Sequence, residues 1–239
     1  MTFLTLDIKG SLAALALGLA FYILAGFNLV LVAFMLYFLM LSSLVTSAGK
    51  SRKKAMGVYQ KSRGILNVVS NGCGPLIFAA VFFLTLFYNM QYLAVLALAG
   101  FGASVASVTA DKFSSELGVL DGEPKDIFTF KHVKKGASGG ITLFGLGSGF
   151  FAALLVSTPF SFVIFRLGLL PPLQPQYTLF PLYALITVCV GGFIGTLVDS
   201  LLGHYEEKGI GNKFTSNFIC SVCGGAAGML LLYALSFVH

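Results

Sequence analysis

Apolar residues run along this chain in long unbroken stretches, and charged residues sit in the gaps between them. Stretches of about 18 or more apolar residues mark membrane-spanning helices rather than elements of a soluble core. The pattern predicts seven spans, at 8–24, 26–48, 65–88, 91–110, 139–158, 177–202 and 216–238. Only Ala25 and Gly26 separate the first two. The segment from Thr158 to Gln176 holds Pro159, Pro171, Pro172 and Pro175, and reads as an irregular or re-entrant connection. The apolar runs are continuous rather than alternating, which argues against a lipid-facing β-barrel. The N-terminus carries neither a basic segment nor a convincing cleavage site, so the first run is expected to be retained as a helix. The expected fold class is all-α: a polytopic membrane helix bundle of about seven transmembrane helices, with residues 1–239 forming a single integral-membrane domain.

Composition agrees. Of 239 residues, 57% are hydrophobic and 10% charged, where a soluble domain carries about a quarter charged. With a mean hydropathy of +0.91, there is too little polar surface for a soluble enzyme, a nucleic-acid-binding module or a disordered chain. Nucleic acid is therefore not an expected partner, despite a net charge of +6. The charge instead sets orientation. Loops 49–64, 111–138 and 203–215 hold 13 of the 15 basic residues. With seven spans, all three loops share one side with Lys9, and only Arg166 lies opposite. Positive residues concentrate on the cytoplasmic side. The N-terminus is thus expected inside and the C-terminus outside, in a prokaryotic plasma membrane or an organelle membrane.

The four cysteines, Cys73, Cys189, Cys220 and Cys223, lie in or beside apolar segments and read as inert thiols. Cys220 and Cys223 form a CxxC, but no second pair or nearby histidine completes a zinc site. Glycines recur four apart at Gly145/Gly149, Gly191/Gly195 and Gly224/Gly228. This spacing lets helix backbones approach closely.

Polar residues near span ends are few, and in a membrane they are functional candidates. Arg63, Asn67 and Asn71 open the third span at four-residue spacing, on one helix face. Asp111, Ser115 and Glu116 close the fourth; Gly136, Ser138, Gly139, Gly140 and Thr142 open the fifth. Asp199 and Ser200 close the sixth, and Asn212 and Asn217 open the seventh. Under the seven-span topology all of them reach one membrane face, which points to a single cytosol-facing site. Asp111, Glu116 and Asp199 are hard oxygen ligands suited to Mg²⁺ or Mn²⁺. Arg63 suits phosphate, with Lys131 and Lys135 nearby in the loop before the fifth span. Lys53 is expected deep in a solvated loop and of less account than Arg63. The run Lys134-Lys135-Gly136-Ala137-Ser138-Gly139-Gly140 enters a helix, where exposed backbone N–H groups attract anions. Metal, basic clamp and backbone cradle together are the parts used in phosphoryl transfer. No Walker A sequence and no catalytic-triad or zinc-hydrolase spacing is present. The three histidines are His132, His204 and His239.

These segments resemble the integral-membrane family that contains the plastid phytyl-phosphate kinase of tocopherol synthesis and its archaeal, bacterial and animal homologues. The carrying segments are Arg63-Gly64 with Asn67-Val68 and Asn71-Gly72, Ala110 to Gly118, Gly136 to Thr142, and Gly195 to Gly203, followed by Asn217-Phe218. Lys112, Phe113 and Ser114 stand where the family usually has threonine, tryptophan and alanine, and Ala137 stands where it has threonine. The resemblance implies transfer of a nucleotide γ-phosphate (from CTP, ATP or GTP) to a phytyl-like or geranylgeranyl-like monophosphate, giving the diphosphate. It implies Mg²⁺, a nucleotide triphosphate, a prenyl monophosphate and membrane lipid as cofactors and partners. A homodimer is left open. A CTP-dependent lipid nucleotidyltransferase would use the same parts, while a lipid or ion transporter would need polar residues through the bilayer midplane, where this chain has apolar or small ones.

Overall fold

The computed structural model describes residues 6–26, 29–59, 63–166 and 180–236. The elements in chain order are α1 (Ile8–Leu24), α2 (Val30–Ser47), α3 (Lys50–Ala55), α4 (Ile65–Phe87), α5 (Gln91–Gly118), β1 (Lys125–Asp126), β2 (Gly140–Ile141), α6 (Leu143–Arg166), α7 (Phe180–Glu206) and α8 (Lys213–Leu235). Among the described residues, six helices are long and apolar enough to cross a membrane, and α1 is a shorter apolar helix. Its 17 residues would extend about 26 Å, near the lower limit for a span. The seven predicted spans thus each meet one helix.

Three boundaries differ from expectation. Helix α5 runs to Gly118, so Asp111, Ser115 and Glu116 lie on helix rather than at its edge. Helix α6 begins at Leu143, after the glycine run, and continues through Pro159 to Arg166. Pro159 therefore belongs to a helix and not to an irregular connection. A proline cannot donate to the carbonyl four residues back. The carbonyl this frees, that of Leu155, accepts instead from the Tyr37 hydroxyl of α2 at 3.1 Å. Pro171, Pro172 and Pro175 lie outside the described residues, as does Lys61. Third, the basic loop after α2 folds into the short helix α3.

Helix α5 is the axis of the bundle, packed by α4, α6, α7, α8 and α2. Small residues make this possible. A side chain on Gly191 would strike the backbone of Gly228, and one on Gly149 would crowd the Ala110 carbonyl. All three predicted glycine pairs sit at such helix crossings. At the other end of the size range, Phe160 makes edge contacts with Phe34 and a tilted contact with Phe101, which in turn meets Phe21. These rings join α1, α2, α5 and α6 into one core.

The first helices are laid down differently. Helix α1 packs mainly on α4, and α2 mainly on α5, so the seam between α1 and α2 is loosely closed. The start of α1 is pinned at one end of the bundle. Asp7 accepts from the Gly10 N–H at 2.7 Å, and its own N–H donates to the Arg63 carbonyl at 3.1 Å. The starts of α1, α4, α6 and α8 and the ends of α2, α5 and α7 therefore gather at that end.

Candidate active site

A cavity of about 1300 Å³ opens where these helix ends meet. Single-ligand pockets usually fall at about 300–1,000 Å³, so this one has room for more than one small ligand. It is lined by Arg63, Asn67, Asn71, Asp111, Ser115, Glu116, Gly136, Ser138, Gly139, Gly140, Asp199, Ser200, Asn212 and Asn217. The expected convergence on one face is thus met by these residues. Lys131 and Lys135 are different. Both are exposed, and neither lines the cavity. Their loop folds back through the β1–β2 pairing of Lys125 with Ile141 and Asp126 with Gly140, which leaves their side chains on the outer surface.

One wall is acidic. Asp111 of α5 and Asp199 of α7 are 7% and 5% exposed, and their charges interact directly. Lys213, the first residue of α8, donates to Asp199 Oδ2 at 2.5 Å. Among the described residues, Asp199 Oδ1 and Asn217 Oδ1 are buried with no hydrogen-bond partner. Unpaired buried oxygens are costly unless something supplies positive charge or a proton. Two carboxylates and an amide oxygen are a hard donor set, and they fit a divalent cation such as Mg²⁺. Asn212 has another task. Its side chain accepts from the Phe214 and Thr215 N–H groups and caps α8, which places Lys213 and Asn217 one turn apart on the cavity side. Ser200 donates to the Thr196 carbonyl at 3.3 Å, and Ser115 to the Lys112 carbonyl at 3.2 Å. Both hydroxyls are held by their own helices.

The opposite wall is basic. Glu116 does not join the other acids: among the described residues no group of three His, Cys, Asp or Glu side chains is placed to hold a metal. The reason is helical phase. Five residues beyond Asp111, Glu116 points about 140° away around α5. There it receives Lys53 at 2.7 Å, Lys112 at 2.7 Å and Arg63 at 3.7 Å, while the Thr46 hydroxyl donates to it at 2.9 Å. Lys53 is 1% exposed and also donates to the Val45 and Thr46 carbonyls. It is therefore a buried tether of α3, not the solvated loop residue expected. In a basic run such as Lys50 to Lys54 nothing in the spacing singles it out. Lys112 carries a legible signal, four residues before its ion-pair partner Glu116 on the same helix, whereas the partner of Lys213 is Asp199 on α7.

Arg63 is 6% exposed and donates to Ser42 and Thr46 of α2. Burial draws its pKa below the ordinary value, with the charges of Glu116 and Asp111 opposing, and a guanidinium stays charged through such a shift. Asn67 and Asn71 follow it along α4, the Asn71 side-chain N–H donating to the Asn67 carbonyl at 2.7 Å.

The glycine run is not the expected anion cradle. Helix α6 starts three residues after Gly140, and Thr142 caps it by accepting from the Gly145 N–H at 3.0 Å. The N–H groups of Ala137 and Gly140 are used within the turn, and that of Ser138 donates to Glu207 at 2.8 Å. The glycines serve close approach: Gly139, at φ +74°, lies against the backbone of Ser200, Gly203 and His204, where a side chain would not fit. A pair that sequence reasoning missed anchors the same loop. Asp126 meets His204 Nδ1 at 2.5 Å and accepts from the N–H groups of Phe128 and Thr129 and from the Thr129 hydroxyl. Burial alone would raise the Asp126 carboxyl; the bonds from His204, Thr129 and Phe128 outweigh it and hold the group well below the usual carboxylate range.

Residues 2–227 match the model of the family described as integral membrane protein DUF92. The chain belongs to this family. It is 34% identical to the "Uncharacterized membrane protein MJ0933" of Methanocaldococcus jannaschii over 232 residues, covering 96% of this chain and 87% of that protein. It is 32% identical to "Protein PGR" of Arabidopsis thaliana over 216 residues, covering 83% of this chain and 71% of that protein. No solved structure matches the chain.

The four cysteines are free thiols, with Cys189 and Cys220 buried. Cys220 lies 3.6 Å from the Ser107 hydroxyl at the α5–α8 crossing, in keeping with a packing role.

Proposed function

We propose that this protein is a membrane prenyl-phosphate kinase, transferring a nucleotide γ-phosphate to a prenyl monophosphate. One observation carries the reading: a large cavity at the helix ends has an acidic wall with unpaired oxygens beside a basic wall at Arg63 and Lys112. A nucleotide with its cation suits the first wall and a lipid phosphate the second. Asp111 and Asp199, with Asn217 Oδ1, would hold Mg²⁺ or Mn²⁺, which would supply neutralising charge to the nucleotide phosphates.

The remaining work falls to the chain's own residues. Lys213 holds Asp199 in place through its Oδ2 oxygen. Arg63, held by Ser42 and Thr46, presents a rigid guanidinium, and Lys112 adds a second cation. The acceptor oxygen is already anionic, so no histidine or other strong base is required. A bond forms between that oxygen and the γ-phosphorus, the β–γ bridging bond breaks, and the nucleoside diphosphate leaves. Catalysis is then positioning and charge stabilisation. The 13 of 15 basic residues in the loops at this end support a cytoplasmic orientation, where nucleotide would be available, while the prenyl chain would remain in lipid at about 0.8 kcal/mol per buried CH₂.

The test is to incubate the purified protein with geranylgeranyl or phytyl monophosphate, Mg²⁺ and each of CTP, ATP and GTP, and to identify the lipid product by mass spectrometry. A prenyl diphosphate with nucleoside diphosphate is expected. A CDP-lipid with pyrophosphate would replace the kinase by a nucleotidyltransferase, and no product with any nucleotide would remove both.

A further inference from the structure

A second, narrower opening adjoins the cavity. It is a crevice between α1, α2 and α4, and it shares Phe38, Arg63, Asn67 and Asn71 with the cavity. Beyond those four its walls are apolar, with Leu17, Gly18, Phe21 and Val32 at the far end. It follows the loosely closed seam between α1 and α2. Gly10 marks the near end, because it packs against the Arg63 carbonyl. From Gly10 to Phe21 the helix rises about 16 Å at 1.5 Å per residue. The cavity volume is only about 50 Å³, well below the volume of a twenty-carbon chain, so the crevice would grip one thin chain along part of its length with the rest in lipid, and does not fit the two chains of a glycerolipid.

Its mouth is positively biased. Lys53, Arg63 and Lys112 surround Glu116, and the charge of Asp111 also reaches Arg63 and Lys112, so three cations meet two carboxylates and one positive charge is left for an anionic head group. Apolar slot, cationic mouth and shared polar lining together describe an amphiphile with one apolar tail and an anionic head.

The geometry points to this crevice as the tail channel for the acceptor of the reaction proposed above, on which this inference rests. The phosphate lies at Arg63 and Lys112, and the chain descends between α1 and α2 towards Phe21. Gly18 controls how far it reaches. A Cβ built on Gly18 meets nothing within 4 Å, so the glycine leaves open space in the wall of the slot, about 12 Å below Gly10. A large side chain there fills the channel without displacing the fold, and any residue other than proline is a better helix former than glycine. A five-carbon chain ends before Gly18; a twenty-carbon chain passes it.

The test compares Gly18→Phe with the wild type, and uses Leu12→Phe, on the exposed side of α1, as control. Binding of geranylgeranyl monophosphate and dimethylallyl monophosphate is measured by calorimetry on the detergent-solubilised protein, without nucleotide, and turnover is measured in parallel. Gly18→Phe should weaken binding of the twenty-carbon ligand at least about tenfold, leave the five-carbon ligand unchanged, and the control should change neither. Equal effects on both ligands, or no effect on either, overturn the channel. If the chain-length effect is present but no nucleotide yields product, the channel stands and the kinase reading falls. If Gly18→Phe binds and turns over the twenty-carbon ligand like wild type, the channel falls and the kinase reading stands. Failure of the wild type to bind geranylgeranyl monophosphate overturns both.

Discussion

The two walls of the cavity share helix α5 but treat a carboxylate in opposite ways. Glu116 is saturated, with three cations and a threonine hydroxyl around it. Among the described residues, Asp199 has one lysine on one oxygen and no hydrogen-bond donor on the other, and it lies beside the carboxylate of Asp111. A saturated buried acid holds elements together: here it ties α2, α3 and α5 around the start of α4. An unsaturated acid pair costs stability, and that cost is the mark of a site built for something else. Five residues along one helix separate a carboxylate ringed by cations from the one that lies beside Asp199.

The largest effect expected from this contrast is on turnover. Asp111→Asn or Asp199→Asn should lower kcat at least about a thousandfold, equivalent to about 4 kcal/mol of lost transition-state stabilisation, while the protein stays monodisperse in detergent. The double variant should be little worse than either single one, because both residues serve one ion. Turnover near the wild-type rate in either single variant at saturating Mg²⁺ would make that carboxylate structural.

Glu116→Gln should act on the other axis. It leaves buried Lys53 without its counter-charge, a change worth on the order of 3 kcal/mol, and should appear as a clear fall in melting temperature. The folded fraction should keep kcat within about tenfold. A thousandfold loss of kcat with unchanged melting would return Glu116 to the reacting centre.

A smaller, local effect is expected at the loop between α5 and α6. The Asp126 carboxyl is held below its ordinary range, so its contribution is complete above the unfolded value of about 3.9 and is lost as the pH falls below that towards the folded value. Hydrogen exchange at neutral pH should show faster exchange across 125–142 in Asp126→Asn, with the helices unchanged. Equal protection in the two proteins would remove the Asp126–His204 contact as the loop's anchor. The smallest effect is assigned to Lys131→Ala and Lys135→Ala, which should change steady-state kinetics by less than about twofold, as exposed charges off the site do. A tenfold change in KM for nucleotide would bring the loop back into the cavity.

Much of this was legible in the sequence, for definite reasons. Spans are set by hydropathy, and all seven expected segments meet helices. The gathering of Arg63, Asn67, Asn71, Asp111, Asp199 and Asn217 follows from the alternation of the spans, which puts the starts of the third and seventh and the ends of the fourth and sixth on one face. What could not be read was side-chain partnership. Whether Glu116 faces Asp111 or Lys53 depends on where α5 stops, and a hydropathy profile fades eight residues before the helix does. The glycine run misled because glycine serves both anion cradles and close backbone contacts. Only the packing of Gly139 on Gly203 decides between them.

The most direct test of the central claim follows the fate of one phosphorus atom. Wild-type protein and Asp199→Asn are incubated side by side with geranylgeranyl monophosphate, Mg²⁺ and γ-³²P-labelled nucleotide, and the lipid fraction is separated. The account predicts label in a prenyl diphosphate for the wild type and almost none for the variant. Label in pyrophosphate with an unlabelled CDP-lipid, or equal labelling of lipid by the two proteins, would contradict it.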